Sequence, residues 1–284
     1  MPIRTGWVRY LWKERRAFLI HQAFRMAKFH RTPFRKLLEN ILEVIEAYHA
    51  GFTFPIIASA ALRNTGLVRL ITNFGQEVAS HGFNHVNYSY LSSEAQEWDI
   101  ARSLLAFRSL KTPIRGFRAP YNICPAQLPI LLEKFEFLWD AGLGFQDKYR
   151  ERRSFFRVPV EGHDSRFVCI PLYEWSDDRM IDIQRLNAVE MARILRRALR
   201  ETEKQHGVIM LDLHPIRIGQ PQYIDVLKQI LSYGAELNGW FPVVTDAVEH
   251  WLRHGEWKDG AAFCCLLTGD IDNFTYLEYF TRLF

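Results

Sequence analysis

The 284-residue chain has only four cysteines, Cys124, Cys169, Cys264 and Cys265, with no C-x-x-C spacing. A disulfide-stapled scaffold is therefore excluded, and reduced thiols in a reducing compartment are expected. No uncharged apolar run approaches the roughly 18 residues that a membrane span needs. Charges are scattered through Met1 to His30, so the start does not read as a secretory signal, and a cytoplasmic location is expected. There is no internal repeat and no Ser/Pro-rich linker, which leaves one domain with an appendage. With 48% hydrophobic and 24% charged residues, disorder is excluded as well.

The aromatic content is high, with 8 Trp, 11 Tyr and 21 Phe, enough for a large core and for stacking on flat ligand faces. Positive charge is concentrated at the start. Residues 1–36 hold ten Lys or Arg against the single acid Glu14, leaving 26 basic and 31 acidic residues in the rest. Apolar residues recur at helical spacing from Trp7 to Phe29 between those cations. Residues 1–32 are thus expected to form a basic amphipathic arm able to make peripheral contact with an anionic membrane, with 33–284 as the folded body. That body is mildly acidic, which argues against nucleic acid as a partner.

Periodicity predicts a helix over Pro33–His49, with Thr32 as N-cap, Pro33 at the first helical position and Gly51 as the stop. A buried strand over Phe52–Ala58 follows, then a loop at Arg63–Thr65. Further strand-like runs are Glu77–Ser80, Ile114–Phe117, Phe137–Asp140, Phe156–Val160, Phe167–Leu172, Val208–Leu213, Phe241–Val244 and Ala262–Leu267. Between them, helical patterns cover Ser93–Ser109, Pro125–Phe135, Ala188–Lys204, Gln222–Tyr233 and Ala247–His254, with Asn187 and Glu190 spaced as a capping box. Short apolar strands alternating with helices predict a parallel α/β sheet or barrel.

Three of these strands end in residues that can carry chemistry, where α/β folds place their sites. The first ends in Ser80-His81-Gly82-Phe83-Asn84-His85, whose two histidines four residues apart can face one metal ion. A second His pair, His250 and His254, follows no strand and has no acid partner in its context, so it reads as a surface helix face. The run Ile114–Phe117 closes on Gly116-Phe117-Arg118-Ala119-Pro120-Tyr121, where an arginine can orient a carboxylate through a forked pair. The third is Leu211-Asp212-Leu213-His214-Pro215, where a strand-end histidine can act as a general acid.

In this order, H-x-x-x-H, R-x-P-Y and L-H-P resemble the motifs of the NodB-type polysaccharide deacetylases, carbohydrate esterase family 4. The resemblance covers about Gly51 to Trp251 and implies an irregular (β/α) barrel. One departure stands out: the family's first motif, usually T-F-D-D-G, has no counterpart in residues 1–50. Near the other end, Cys264-Cys265-Leu266-Leu267-Thr268-Gly269-Asp270-Ile271-Asp272 resembles a D-x-D variant of it. A circular permutation is therefore expected, in which the C-terminus supplies the strand that normally opens the barrel, beside Phe52–Ala58. In Ile170 to Asp178, either Asp177 or Asp178 resembles the aspartate that tunes the catalytic histidine, with Trp175 lining the cleft.

What the resemblance implies is metal-assisted hydrolysis of an N-acyl group on an amino sugar of a polysaccharide or lipid-linked saccharide. Asp272, His81 and His85 would hold one divalent metal ion, zinc by expectation, that lowers the pKa of water. Asp270, held by Arg118, would be the base, and His214 the acid that protonates the leaving amine. The oxyanion would rest on the metal and the backbone N–H of Tyr121. Two other readings compete: an amidase of the same fold acting on a small nitrogenous metabolite, and a non-catalytic descendant that binds a glycan or a membrane-associated partner.

Overall fold

The computed structural model describes residues 27, 29–149 and 151–278. The expected amphipathic arm falls outside them except for Ala27 and residues 29–32. Phe29 is already buried in the core, and its carbonyl accepts a hydrogen bond from Gln220. In chain order the elements are α1 (Phe34–Ala47), β1 (Thr53–Ile56), α2 (Ala58–Arg63), α3 (Thr65–Asn73), β2 (Glu77–Ser80) and α4 (Ser93–Ser109). Next come β3 (Gly116–Phe117), α5 (Leu128–Lys134), β4 (Trp139–Asp140), the hairpin of β5 (Pro159–Val160) and β6 (His163–Asp164), and β7 (Val168–Cys169). The last third contains α6 (Ala188–Lys204), β8 (Val208–Asp212), α7 (Pro215–Ile218), α8 (Ile224–Glu236), β9 (Gly239–Trp240), α9 (Val244–His254) and β10 (Phe263–Thr268). Among the described residues no helix is long and apolar enough to cross a membrane.

The main sheet is parallel throughout, in the order β7-β4-β3-β2-β1-β10-β8, with β9 paired to the start of β10. It curls until Leu172, just past β7, bridges Met210 of β8 and closes the barrel. The last strand takes a central slot. It pairs with β8 from Cys264↔Val208 to Thr268↔Asp212 and with β1 at Thr53↔Thr268, and a further bridge joins Ile271 to Ile56. All six residues of β10 are buried, as a parallel strand covered on both faces requires.

Strand alternation separates two apolar layers. Cys265 and Leu267 pack outward with Phe54, Ile209 and Leu211 under α1, α6 and α8, whereas Cys264 and Leu266 point inward with Ala79, Trp139 and Met210. Val244, Ala247 and Val248 of α9 join that inner layer and plug the barrel at the end where the strands begin. Trp139 fits inside because Gly116 faces it; a Cβ there would lie 1.9 Å from the indole.

Several local expectations need correction. Pro33 itself is the N-cap of α1, with no side-chain cap, and the helix ends at Ala47 with Tyr48 as C-cap. Gly51 is needed for a different reason, since a Cβ would lie 2.1 Å from the nitrogen of Val243. Residues 63–65 join two helices, α2 and α3, and do not form an extended loop. Phe241–Val244 is no strand: β9 lies just before it and Val244 opens α9. An apolar run this short fits either state by periodicity, and Pro242 favours the break. By contrast, α4 and α6 match their predicted spans, and α6 begins with the Asn187/Glu190 capping box.

Candidate active site

Period-two alternation carried past the strand ends decides which side chains meet. In β10 the inward positions Cys264 and Leu266 continue through Thr268 to Asp270 and Asp272. On β8, Val208 and Met210 lead to Asp212 and then His214. Ala79 leads to His81, and Gly116 leads to Arg118. The carboxyl-end mouth of the barrel is thus ringed by polar groups standing on an apolar floor.

The His81 ring is buried, and its Nδ1 lies 2.8 Å from the carbonyl oxygen of Arg118. A carbonyl only accepts, so Nδ1 carries the proton and Nε2 presents its lone pair. That Nε2 is 3.5 Å from Asp270 Oδ2 and 3.6 Å from Asp272 Oδ1, and His85 Nε2 is 3.3 Å from the same Asp272 oxygen. With both Nε2 atoms unprotonated, acceptors face acceptors at this range, an arrangement that a cation between them satisfies. Two imidazole nitrogens and a carboxylate oxygen, all within 4.8 Å of one another, form a donor set that suits a divalent ion with an open position.

Arg118 is fully buried, and its Nη1 donates to Asp270 Oδ1 at 2.8 Å and to Asp212 Oδ1 at 2.9 Å. Burial opposes its charge, but Asp270 and Asp212 together hold its pKa above the ordinary value. Asp212 went without a role in the motif reading, although its place two residues before His214 on a strand puts both on one face. Burial raises its carboxyl to about 6.

His214 follows β8, and its Nδ1 lies 2.6 Å from Asp177 Oδ1. Burial alone would depress its pKa, yet Asp212 and Asp177, with the hydrogen bond donated to the latter, hold it well above the usual histidine range. Of the two candidate aspartates, Asp177 is the one hydrogen-bonded to His214, while the Asp178 carboxylate accepts from the Ser176 hydroxyl. A buried pair stands behind them. Arg217, one turn after His214, donates through Nε and Nη2 to Asp182 Oδ2 at 3.0 and 2.8 Å.

Tyr121 is partly exposed, and its ring lies 4.3 Å from that of His85. Its φ of 62° and that of Asn122, 54°, are both left-handed, the kind of backbone cost that clusters at functional loops. Trp175 is half-buried beneath the Arg179 guanidinium, 4.6 Å from the ring centroid. Two other groups with metal-like spacing, Asp177/Asp178/His214 and Asp212/His214/Asp270, share His214. In the second, Arg118 already supplies the cation. His250 and His254 lie on α9, where His250 packs edge-on against Trp240, away from the site.

Residues 27–136 match the family model described as polysaccharide deacetylase. A search of curated proteins returns no significant match. Among solved structures, the fold is shared with a Mycobacterium smegmatis protein described as a polysaccharide deacetylase (TM-score 0.69, 20% identity, 80% of this chain and 81% of that one). It is shared likewise with a probable polysaccharide deacetylase from Pseudomonas aeruginosa PAO1 (TM-score 0.69, 17% identity, 82% and 77%). Puue allantoinase is a third (TM-score 0.70, 18% identity, 82% and 77%). The matched segment contains the His pair and the Arg118 motif, so residues 27–136 resemble the polysaccharide deacetylase family, and the barrel as a whole has the fold of these solved structures.

Proposed function

We propose that the chain is a metal-dependent deacetylase that removes an N-acyl group, acetyl by preference, from an amino sugar of a polysaccharide or lipid-linked saccharide. The observation that carries this reading is the meeting of Asp272 with His81 and His85 beside an Arg118-held Asp270. In this reading the C-terminal strand supplies what the family's first motif supplies elsewhere, and the order of the chain is a circular permutation.

His81, His85 and Asp272 hold the divalent cation, zinc by its donor chemistry. When bound, it supplies Lewis acidity and makes water a nucleophile near neutral pH. Asp270, aimed by its hydrogen bond from Arg118, accepts a proton from the attacking water. The backbone N–H of Tyr121 faces the oxyanion as charge develops on the acyl oxygen. His214, kept protonated by Asp212 and Asp177, gives its proton to the amine as the carbon–nitrogen bond breaks. The Tyr121 ring and Trp175 offer flat faces for sugar rings.

The test is release of acetate from N-acetylated amino-sugar oligomers by the zinc-loaded protein, with Asp270→Asn and His214→Ala as controls. Each is expected to lower turnover by about 10² to 10⁴, His214→Ala without loss of metal. Full activity in His214→Ala overturns the acid assignment. If the oligomers stay intact while a cyclic ureide is hydrolysed, the small-metabolite reading replaces this one.

A further inference from the structure

Helix α4 buries a polar stripe where a core-facing helix would ordinarily be apolar. Gln96, Asp99 and Ser103 are 2%, 0% and 0% exposed, and all three sit on the face turned to the loop between the two histidines and Tyr90. Leaving such groups inside is costly unless each is hydrogen-bonded, and here the partners of Asp99 lie in that loop, those of Gln96 are Tyr88 and Leu91, and Ser103 meets Ser80 at the end of β2. Asp99 Oδ2 accepts the Phe83 N–H at 2.8 Å and the Tyr88 hydroxyl at 2.8 Å, and Oδ1 accepts the Asn84 N–H at 3.3 Å. Gln96 Nε2 donates to the carbonyls of Tyr88 and Leu91. One turn beyond Asp99, the Ser103 and Ser80 hydroxyls pair at 2.8 Å, and Ser80 Oγ accepts the Gly82 N–H.

The glycine between the histidines is part of the same device. Gly82 has φ +80°, and a Cβ there would lie 2.8 Å from Asp99 Oδ2 and 3.0 Å from the Tyr88 hydroxyl. Residue 82 is thus free of a side chain where the carboxylate must come close. All three donors to Asp99 lie within the loop, two of them on the backbone between His81 and His85. The carboxylate therefore fixes the turn that points both Nε2 atoms towards Asp272.

We propose that Asp99 is a positioning residue for metal binding: from α4 it holds the loop of residues 82–88 in the conformation that brings His81 and His85 onto one cation. This rests on the metal reading above, in which those histidines are ligands with Asp272. Loss of outer-shell partners of metal ligands typically costs about 10–100-fold in affinity, and the same range is expected for Asp99→Asn. An amide in its place offers one acceptor oxygen to three donors and turns an N–H towards the others.

The experiment titrates the metal-stripped full chain with Zn²⁺ by calorimetry, and with Co²⁺ by visible absorption, for wild type, Asp99→Asn, Tyr88→Phe and Asp272→Asn. Expected are tight binding by wild type, severe loss in Asp272→Asn, and about 10–100-fold weaker binding with an altered Co²⁺ spectrum in Asp99→Asn. Tyr88→Phe removes one donor and leaves the buried backbone bonds in place, so it reports even if Asp99→Asn does not fold. It is expected to weaken binding measurably, by less than Asp99→Asn does. Unchanged affinity and spectrum in folded Asp99→Asn, or in Tyr88→Phe where the former does not fold, overturn the proposal and leave the metal reading standing, because Asp272→Asn still loses the ion. A wild type that binds no Zn²⁺, or binds it no better than Asp272→Asn, overturns the metal reading and this inference with it.

Discussion

His85 Nε2 lies 3.3 Å from Asp272 Oδ1, a contact between the loop after the second strand and the turn after the last. With that Nε2 unprotonated, both atoms are acceptors, an arrangement that a cation between them satisfies. His85→Ala is therefore expected to abolish zinc retention after dialysis, measured by elemental analysis, whereas His250→Ala retains the wild-type content. Equal loss in both variants would move the metal away from the mouth of the barrel.

Asp177 and His214 form the next relationship to test. Because two carboxylates hold the imidazole above its ordinary pKa, its charge stabilises the fold fully below the unfolded value of about 6.5. That contribution is lost as pH rises through the folded value. Asp177→Asn is expected to lower the His214 pKa as read by imidazole NMR, and Asp178→Asn to change it far less. An unmoved pKa in Asp177→Asn would remove its tuning role.

Asp140 closes β4 fully buried, with Oδ2 accepting the Leu143 N–H at 2.7 Å and no partner at Oδ1. Burial raises its carboxyl to about 7. The folded chain then keeps a proton that the unfolded chain releases above about pH 4, so stability falls between those values. Asp140→Asn is expected to remove that decline, by on the order of 2–4 kcal/mol between pH 5 and 8 in urea unfolding. Parallel pH curves for the two proteins would show the site to be ionised throughout.

Gly269 sits where β10 passes β8, and a Cβ there would lie 2.1 Å from the carbonyl oxygen of Leu213. Gly269→Ala forces apart the two strands that carry Asp270 and His214. It is expected to cost about 1–3 kcal/mol in denaturant unfolding and to weaken zinc binding as well. Wild-type stability would mean that the strands part without strain.

Removal of residues 262–284 takes out β10 and leaves β1 and β8 without the neighbour that joins them. The truncated chain is expected to lose its cooperative unfolding transition, followed by circular dichroism, because the missing strand is buried on both faces. A retained transition would mean that the sheet closes without it.

The sequence by itself determined the faces and the chemistry of the strand ends. Asp270, Asp272 and His214 were legible through the motif resemblance, with the His81/His85 and Arg118 motifs, and strand alternation explains why the structure turns them inward. The spans of α4 and α6 were legible too, because long amphipathic or capped segments carry their own signal. Short segments were less so: Phe241–Val244 and residues 63–65 fit more than one local state until their neighbours were in place. Only the tertiary structure decided that β10, expected beside β1, has β8 on its other side, that Asp177 and not Asp178 meets His214, that Asp212 shares Arg118 with Asp270, and that Asp99 accepts hydrogen bonds from the His loop. Each of these is a contact between residues distant in sequence or a choice between chemically equal neighbours. Backbone pairing and burial select among such alternatives, and no periodicity in a single segment records the outcome.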